Sequence, residues 1–179
     1  MTLSIRPATV SDAPSIREIY APVVRSSVAT FETEVPSLEE MERRVAEVSA
    51  RHPWLVAENE GAVVGYAYAA AYHPRPAYAW SCEVSVYVGE AARGVGAGRT
   101  LLRALLDERG GRGFVNATAR SALPNDASVK LFEAHGFERV GLVPGIGYKL
   151  GRWVDVGEWQ RELTPRGPNP KPPRSFGPI

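Results

Sequence analysis

Residues 93–99 read Arg93-Gly94-Val95-Gly96-Ala97-Gly98-Arg99, and their chemistry is that of a phosphate cradle. Glycines at this density permit positive φ and let main chain approach a ligand without Cβ clashes. Where such a loop opens a helix, its N–H groups converge on one point and suit a diphosphate. Two familiar nucleotide loops do not fit. A Walker A loop closes on Gly-Lys-Ser/Thr, whereas Gly98 is followed by Arg99-Thr100, with too few residues between the glycines. A dinucleotide fingerprint needs G-x-G-x-x-G, and the last position falls on Arg99 or Leu101 in the two available registers. The pattern present is Arg-x-x-Gly-x-Gly, from Arg93 through Gly96 to Gly98, with a purely structural glycine turn as the bland alternative. Other reactive residue types offer less. Cys82 shares its strand face with valines and has no base nearby in sequence, so it reads as a buried thiol. His52, His73 and His135 lack metal-ligand spacing, and His135 before Gly136 reads as favourable charge at a helix C-terminus.

The elements around the loop follow from periodicity and caps. Leu3–Ile5 reads as a strand ended by Arg6-Pro7. Thr9-Val10-Ser11-Asp12 is a capping box, with Ala13, Ile16 and Tyr20 at helical spacing behind it and Pro22 closing the segment. Ser37-Leu38-Glu39-Glu40 starts a second helix, with Leu38, Met41, Val45 and Val48 on one face and charges on the other. Trp54–Glu58 and Val63–Ala71 form a hairpin across Asn59-Glu60-Gly61. In the next strand Cys82, Val84, Val86 and Val88 alternate with Glu83, Ser85 and Tyr87, which puts the two sets on opposite faces. The glycine loop then leads into a helix carrying Leu101, Leu102, Leu105 and Leu106, which stops at Gly110-Gly111. Phe114–Ala119 is a further strand, Asn125 or Asp126 caps a helix through His135, and Phe137–Val143 and Val154–Leu163 are the last strands. This order implies an α/β sheet with helices on its faces, where ligands bind at strand ends and helix N-termini.

Composition narrows the classes. At 179 residues, 44% hydrophobic and 23% charged, the chain has the make-up of one globular domain. Its 21 basic and 20 acidic residues give +1, which lacks the excess expected of a nucleic-acid binder. The single cysteine excludes an internal disulfide framework. No run approaches a membrane span and Met1–Thr9 holds no signal-peptide core, so the expected compartment is the cytoplasm. From Pro165 the Pro-rich tail has no core of its own.

The loop Arg93-x-x-Gly96-x-Gly98 after a strand resembles the pyrophosphate loop of the GCN5-related N-acetyltransferase superfamily. Asn125, Leu131-Phe132 and Gly136-Phe137 resemble its later cofactor-contacting segment. Thr30-Phe31-Glu32, Glu83 through Val88, Leu123-Pro124-Asn125-Asp126, Gly147-Tyr148-Lys149 and Gly151-x-Trp153-x-Asp155-Val156-x-x-Trp159-Gln160 are similar to the phosphinothricin and methionine sulfoximine branch. The resemblance spans residues 3–163. It implies an α/β (α+β) fold with a central mixed, mostly antiparallel sheet flanked by helices. Residues 1–163 would form one acetyltransferase domain, followed by an extended or disordered tail at 164–179. It also implies acetyl-CoA as acetyl donor without a metal, a small-molecule amine acceptor, and a homodimer with no nucleic-acid or membrane partner.

Site residues carry over position by position. The main chain of Val86, Tyr87 and Val88 would pair with the pantetheine arm as an added strand. Gly94, Val95, Gly96, Ala97, Gly98, Arg99 and Thr100 would offer N–H donors to the pyrophosphate, with Arg93 and Arg99 adding charge and Asn125 bonding the cofactor from the next helix. Glu83 is the family-like base. At pH 7 an α-amine of pKa near 8 costs only about 1.4 kcal/mol to deprotonate, against about 4.6 for a lysine amine, so one carboxylate suffices for an α-amine. Phe132 stands where many relatives carry Tyr and some His, so the acid role is unassigned among Tyr87, Tyr148 and water. Arg75, with Tyr78 beside it, is the expected partner of an acceptor carboxylate. Phe31, Glu32, Tyr72 and Trp80 are candidates for the pocket wall, with core packing as the commoner role of aromatics at such spacings, and Trp153, Asp155 and Trp159 belong to shared architecture or a dimer interface. The resulting reading is an acetyl-CoA-dependent N-acetyltransferase acting on the α-amino group of an amino-acid analogue through a ternary complex. The alternatives are a non-catalytic acyl-CoA sensor, or transfer to a peptide, protein or antibiotic amine.

Overall fold

The computed structural model describes residues 3–174, and the two terminal pieces of the expected layout, 1–2 and 175–179, lie outside the described residues. Seven strands build one sheet in the order β1-β2-β3-β4-β5-β7-β6. The strands are β1 (Leu3–Pro7), β2 (Trp54–Asn59), β3 (Ala62–Ala71), β4 (Ser81–Val88), β5 (Asn116–Ala122), β6 (Glu138–Lys149) and β7 (Arg152–Glu162). The helices are α1 (Ala13–Ser26), α2 (Leu38–Ser49), α3 (Ala97–Gly111) and α4 (Asp126–Glu133). All neighbouring strands run antiparallel except β4 and β5. The mixed, mostly antiparallel sheet flanked by helices is therefore present.

Period-two alternation divides the core into two layers. On one face Cys82 and Val84 of β4 meet Leu101, Leu102, Leu105 and Leu106 of α3, with Phe132, Phe137 and Trp159. Fully burying one such leucine contributes about 1.5–3 kcal/mol, so this layer anchors the helix that the glycine loop opens. On the other face Ile16, Tyr20, Val24, Met41 and Val45 of α1 and α2 cover Trp54, Val56 and Tyr66. The caps act as expected: Glu40 donates its N–H to Ser37 Oγ at 3.1 Å, and Asp12 Oδ2 accepts from the Thr9 N–H at 2.7 Å.

Four expectations are corrected. Pro22 does not end α1, which runs on to Ser26. Pro22 lies on the exposed face beside Glu18, so the carbonyl that loses its i+4 donor faces away from the core. Leu38 is exposed because it occupies the first turn of α2, whereas Met41 and Val45 are buried. The strand expected at Phe114–Ala119 begins later, at Asn116, where the Trp80 carbonyl accepts from both Val115 and Asn116 as the ladder opens. The last two strands form one long hairpin, with an irregularity between Val143 and Gly147 that lets pairing continue past Pro144-Gly145. In the tail, the Trp80 indole donates to the Lys171 carbonyl at 2.9 Å and the Arg174 N–H to Arg112 O at 2.9 Å.

A buried polar contact that periodicity did not announce lies at the end of α3. Arg109 is fully buried, with its guanidinium 3.2 Å from the Phe114 ring centroid and Nη2 3.0 Å from His52 Nδ1. Burial first, then the charges of Arg109 and Arg51, push His52 down to about 4. The unfolded chain takes up this proton near pH 6.5, the folded chain only near 4, so the contribution is complete above 6.5 and is lost as pH falls. The melting temperature should therefore drop between pH 6.5 and 4, and His52→Gln should flatten that slope in calorimetry. An unaltered slope would remove His52 as its source.

Candidate active site

β4 keeps its pairing with β3 along its whole length, from Cys82 opposite Ala71 to Val88 opposite Gly65. Its pairing with β5 stops after three positions, the last being Glu83 opposite Thr118. β5 is drawn away by seven pairs with β7, so a cleft opens between the strands beyond Glu83. The hydrogen-bond parity of the antiparallel pair settles what lines it. Gly89 donates to the Val64 carbonyl and Tyr72 to the Ser81 carbonyl, so odd-numbered residues of β4 direct their main-chain groups at β3. Val86 and Val88 then turn theirs into the cleft, where among the described residues no backbone partner meets them. Unpaired strand groups of this kind accept an added strand or its chemical equivalent.

Tyr87, expected beside them, is different. Its peptide groups serve β3, and its ring lies 5.1 Å from Tyr66 and 5.2 Å edge-on to Tyr20. Burial pushes its phenol well above the usual value, which makes it a poor proton source for a leaving thiolate.

The glycine loop lies just past the end of β4. Gly94 and Gly96 adopt φ of +79° and +89°, and a Cβ at either would meet nothing within 4 Å. Glycine is required there by backbone conformation, and the space beside it is open. Gly96 caps α3 without any side-chain cap, which leaves the first-turn N–H groups of Ala97, Gly98 and Arg99 for an anion. The N–H of Thr100, expected among these donors, instead closes the first helical turn on Gly96 O at 3.0 Å. Gly98 packs α3 close to β4, since a Cβ there would lie 3.4 Å from Val88 Cγ2. Arg93, Val95 and Arg99 are exposed around the loop. Asn125 caps α4, its Oδ1 accepting from Ser128 N at 3.2 Å, so its amide nitrogen is what it can offer a cofactor.

Glu83 stands at the apex of the cleft, on the sheet face opposite Cys82 and Val84. Its Oε2 accepts from Arg120 Nε at 2.8 Å and from Arg120 Nη2. This hydrogen bond raises the pKa of Arg120. Arg120 was not legible as a site residue, and its only sequence signal is being the one charged residue of Asn116–Ala122.

The segment between α1 and α2 overhangs this face. Glu32, expected in the pocket wall, spends its carboxylate on Arg44 at 2.7 Å and on the Tyr20 hydroxyl at 3.0 Å. It therefore fixes the segment to α1 and α2. Buried Lys149 donates to the Thr30 carbonyl at 2.8 Å, and the Phe31 ring covers Gly147 so closely that a Cβ there would collide with Cζ. The β6–β7 hairpin thus positions Phe31, which is still 40% exposed. On the loop from β3 to β4, exposed Tyr78 packs near Tyr72 and His73 at 5.4 and 5.0 Å. Arg75 is exposed, and among the described residues its side chain has no hydrogen bond or ion pair. Trp80, one candidate for the wall, donates into the tail segment.

Other candidates leave the site. Cys82 is fully buried, with burial pushing its thiol up. Phe132 is buried against Phe137 and Trp159, and exposed Tyr148, next in sequence to Gly147 but on the other side of β6, meets the Trp153 ring edge-on. Among the described residues no three His, Cys, Asp or Glu side chains cluster to hold a metal, and no helix is long and apolar enough to cross a membrane.

Comparison with known proteins places this geometry. The sequence profile described as "Acetyltransferase (GNAT) domain" matches residues 5–157. The phosphinothricin N-acetyltransferase of Streptomyces viridochromogenes is 40% identical over 177 residues, covering 99% of this chain and 94% of that one. The L-methionine sulfoximine/L-methionine sulfone acetyltransferase of Pseudomonas paraeruginosa is 36% identical, covering 92% of this chain and 97% of its own. The structure of a phosphinothricin acetyltransferase from Sinorhizobium meliloti in complex with AcCoA superposes with a TM-score of 0.90 at 38% identity, covering 98% and 99% of the two chains.

The open φ of Gly96 yields a test with coenzyme A as the diphosphate probe. Gly96→Val strains the loop by about 1–2 kcal/mol and turns its N–H groups aside. Calorimetric titration should show affinity weakened by about tenfold or more while the melting temperature falls by only about 2–8 °C, leaving the protein folded. Unchanged affinity would show that the loop does not hold the diphosphate.

Proposed function

Because the chain belongs to the GNAT acetyltransferase family and is an acetyl-CoA-dependent N-acetyltransferase, we propose that it acetylates the α-amino group of a small amino-acid analogue. The substrate class proposed is that of phosphinothricin and methionine sulfoximine, after which the relatives are named, and transfer is direct within a ternary complex. One observation carries the reading: the cleft between β4 and β5 has a carboxylate at its apex and free main-chain groups along one wall.

Acetyl-CoA supplies the activated acetyl thioester. Val86 and Val88 align the pantetheine arm through their free peptide groups, and the start of α3 holds the diphosphate. Glu83 takes the proton of the acceptor amine directly or through one water. A main-chain N–H near Val86 stabilises charge on the thioester carbonyl oxygen. With Phe132 in the core and Tyr87 sequestered, no side chain is assigned as acid; a thiol of pKa near 8.5 leaves as thiolate or takes its proton from water. Arg75, without a partner among the described residues, receives the acceptor carboxylate beside Tyr78, and Phe31 closes the opposite side.

Residues 1–163 form the single catalytic domain in this proposal, in the cytoplasm, with residues 164–179 as a tail. A homodimer is supported by the apolar face of the edge hairpin, where Leu142, Ile146, Tyr148, Leu150 and Trp153 are exposed. Of the residues read from sequence as shared architecture or a dimer interface, Trp159 lies in the core and so takes the architectural role.

Glu83→Gln should lower kcat by roughly 10²–10⁴ with coenzyme A affinity retained, monitored as thiol release with phosphinothricin or methionine sulfoximine. An undiminished rate would exclude Glu83 as base. Arg75→Ala should raise the acceptor KM about tenfold or more, the scale of a lost charge-assisted pair. Unaltered KM would point to an acceptor that lacks the carboxylate.

A further inference from the structure

We infer that Arg120 is a positioning residue that sets the Glu83 carboxylate for amine attack. The inference rests on the reading of Glu83 as the base. Arg120 lies on β5 two residues past Thr118, the last position paired with β4, so its side chain reaches back across the start of the cleft. Its two donors, Nε and Nη2, both converge on Oε2 of Glu83. Among the described residues Oε1 has no hydrogen-bond partner, so the grip fixes the carboxylate and leaves one oxygen to face an acceptor.

Stability does not account for this contact. The Arg120 side chain is 50% exposed and that of Glu83 25%, and ion pairs this open to solvent contribute little to folding. A catalytic reason is available in the charge of the acceptor. An isolated carboxylate at the apex of the cleft would favour the ammonium form of the amine, which has no lone pair to attack with. The guanidinium offsets that field while it holds Oε2. Glu158, opposite Arg120 on β7, lies on the same sheet face and adds a second negative charge near the guanidinium.

The test is a double-mutant cycle with Glu83→Gln, run with acetyl-CoA and phosphinothricin. Arg120→Met should lower kcat roughly 10- to 100-fold, the cost of a reacting group displaced by about an ångström, while the KM of both substrates stays level. Arg120→Lys should recover part of that loss, and melting temperatures should confirm that both variants fold. In the Glu83→Gln background, Arg120→Met should change kcat by less than about twofold, because the group it positions is gone. Equal losses in both backgrounds, or a rise confined to the acceptor KM, would overturn the inference and make Arg120 a structural or a binding residue. An active Glu83→Gln would remove the base itself and this role with it. A damaged Glu83→Gln beside an intact Arg120→Met would overturn the role of Arg120 alone.

Discussion

Backbone hydrogen bonds must be satisfied, and at Val86 and Val88 the fold withholds the strand that would satisfy them. The cause is a competition for β5. Near Glu83 it pairs with β4, but its long antiparallel ladder with β7 carries it off at an angle. β4 cannot follow, because β3 holds it through Val88. The result is a sheet with an interior edge. An edge in the middle of a domain is protected from the aggregation that exposed edges invite, and it is open only to something narrow enough to enter the cleft. A pantetheine arm has that width and carries amide groups of its own.

The other site features take their places from this one. The end of β4 delivers the chain into the glycine loop, so the diphosphate donors of α3 lie in line with the cleft. The last shared position of the two strands is Glu83, which puts the carboxylate where the cleft begins. Period-two alternation turns Glu83 to the face covered by α1 and α2, whose connecting segment carries Phe31. That segment is held from three sides: by Arg44 on Glu32, by Tyr20 on Thr30 and Glu32, and by Lys149 on the Thr30 carbonyl. This face is thus organised by rigid elements, whereas Arg75 and Tyr78, which the proposal assigns to the acceptor, lie on an exposed loop.

What could be read from sequence was local. Alternation placed Glu83 and Val86 on opposite faces, the glycines marked the loop, and Ser37 and Asn125 marked helix starts, because each depends on neighbours within a few residues. What could not be read depended on pairing between distant segments. The cleft follows from the register of β5 against both β4 and β7, and the contact of Arg120 with Glu83 joins residues 37 apart in sequence. For the same reason Tyr87 was grouped with its neighbours, since hydrogen-bond parity is fixed only by the register with β3. Glu32 resembled a pocket residue by position, yet its carboxylate had a scaffold partner 12 residues away. Arg109 carried no sequence signal at all, and only packing shows it buried in the core over Phe114.

The central claim concerns individual amides and can be read at that level. Residue-resolved amide hydrogen exchange, followed by NMR with and without coenzyme A, reports which N–H groups gain a partner. The account predicts that Val86 and Val88 exchange freely in the apo protein and become protected by the ligand, while Tyr87, bonded to β3, is slow in both states. Val86 and Val88 already slow without ligand, or still fast at saturating coenzyme A, would contradict it.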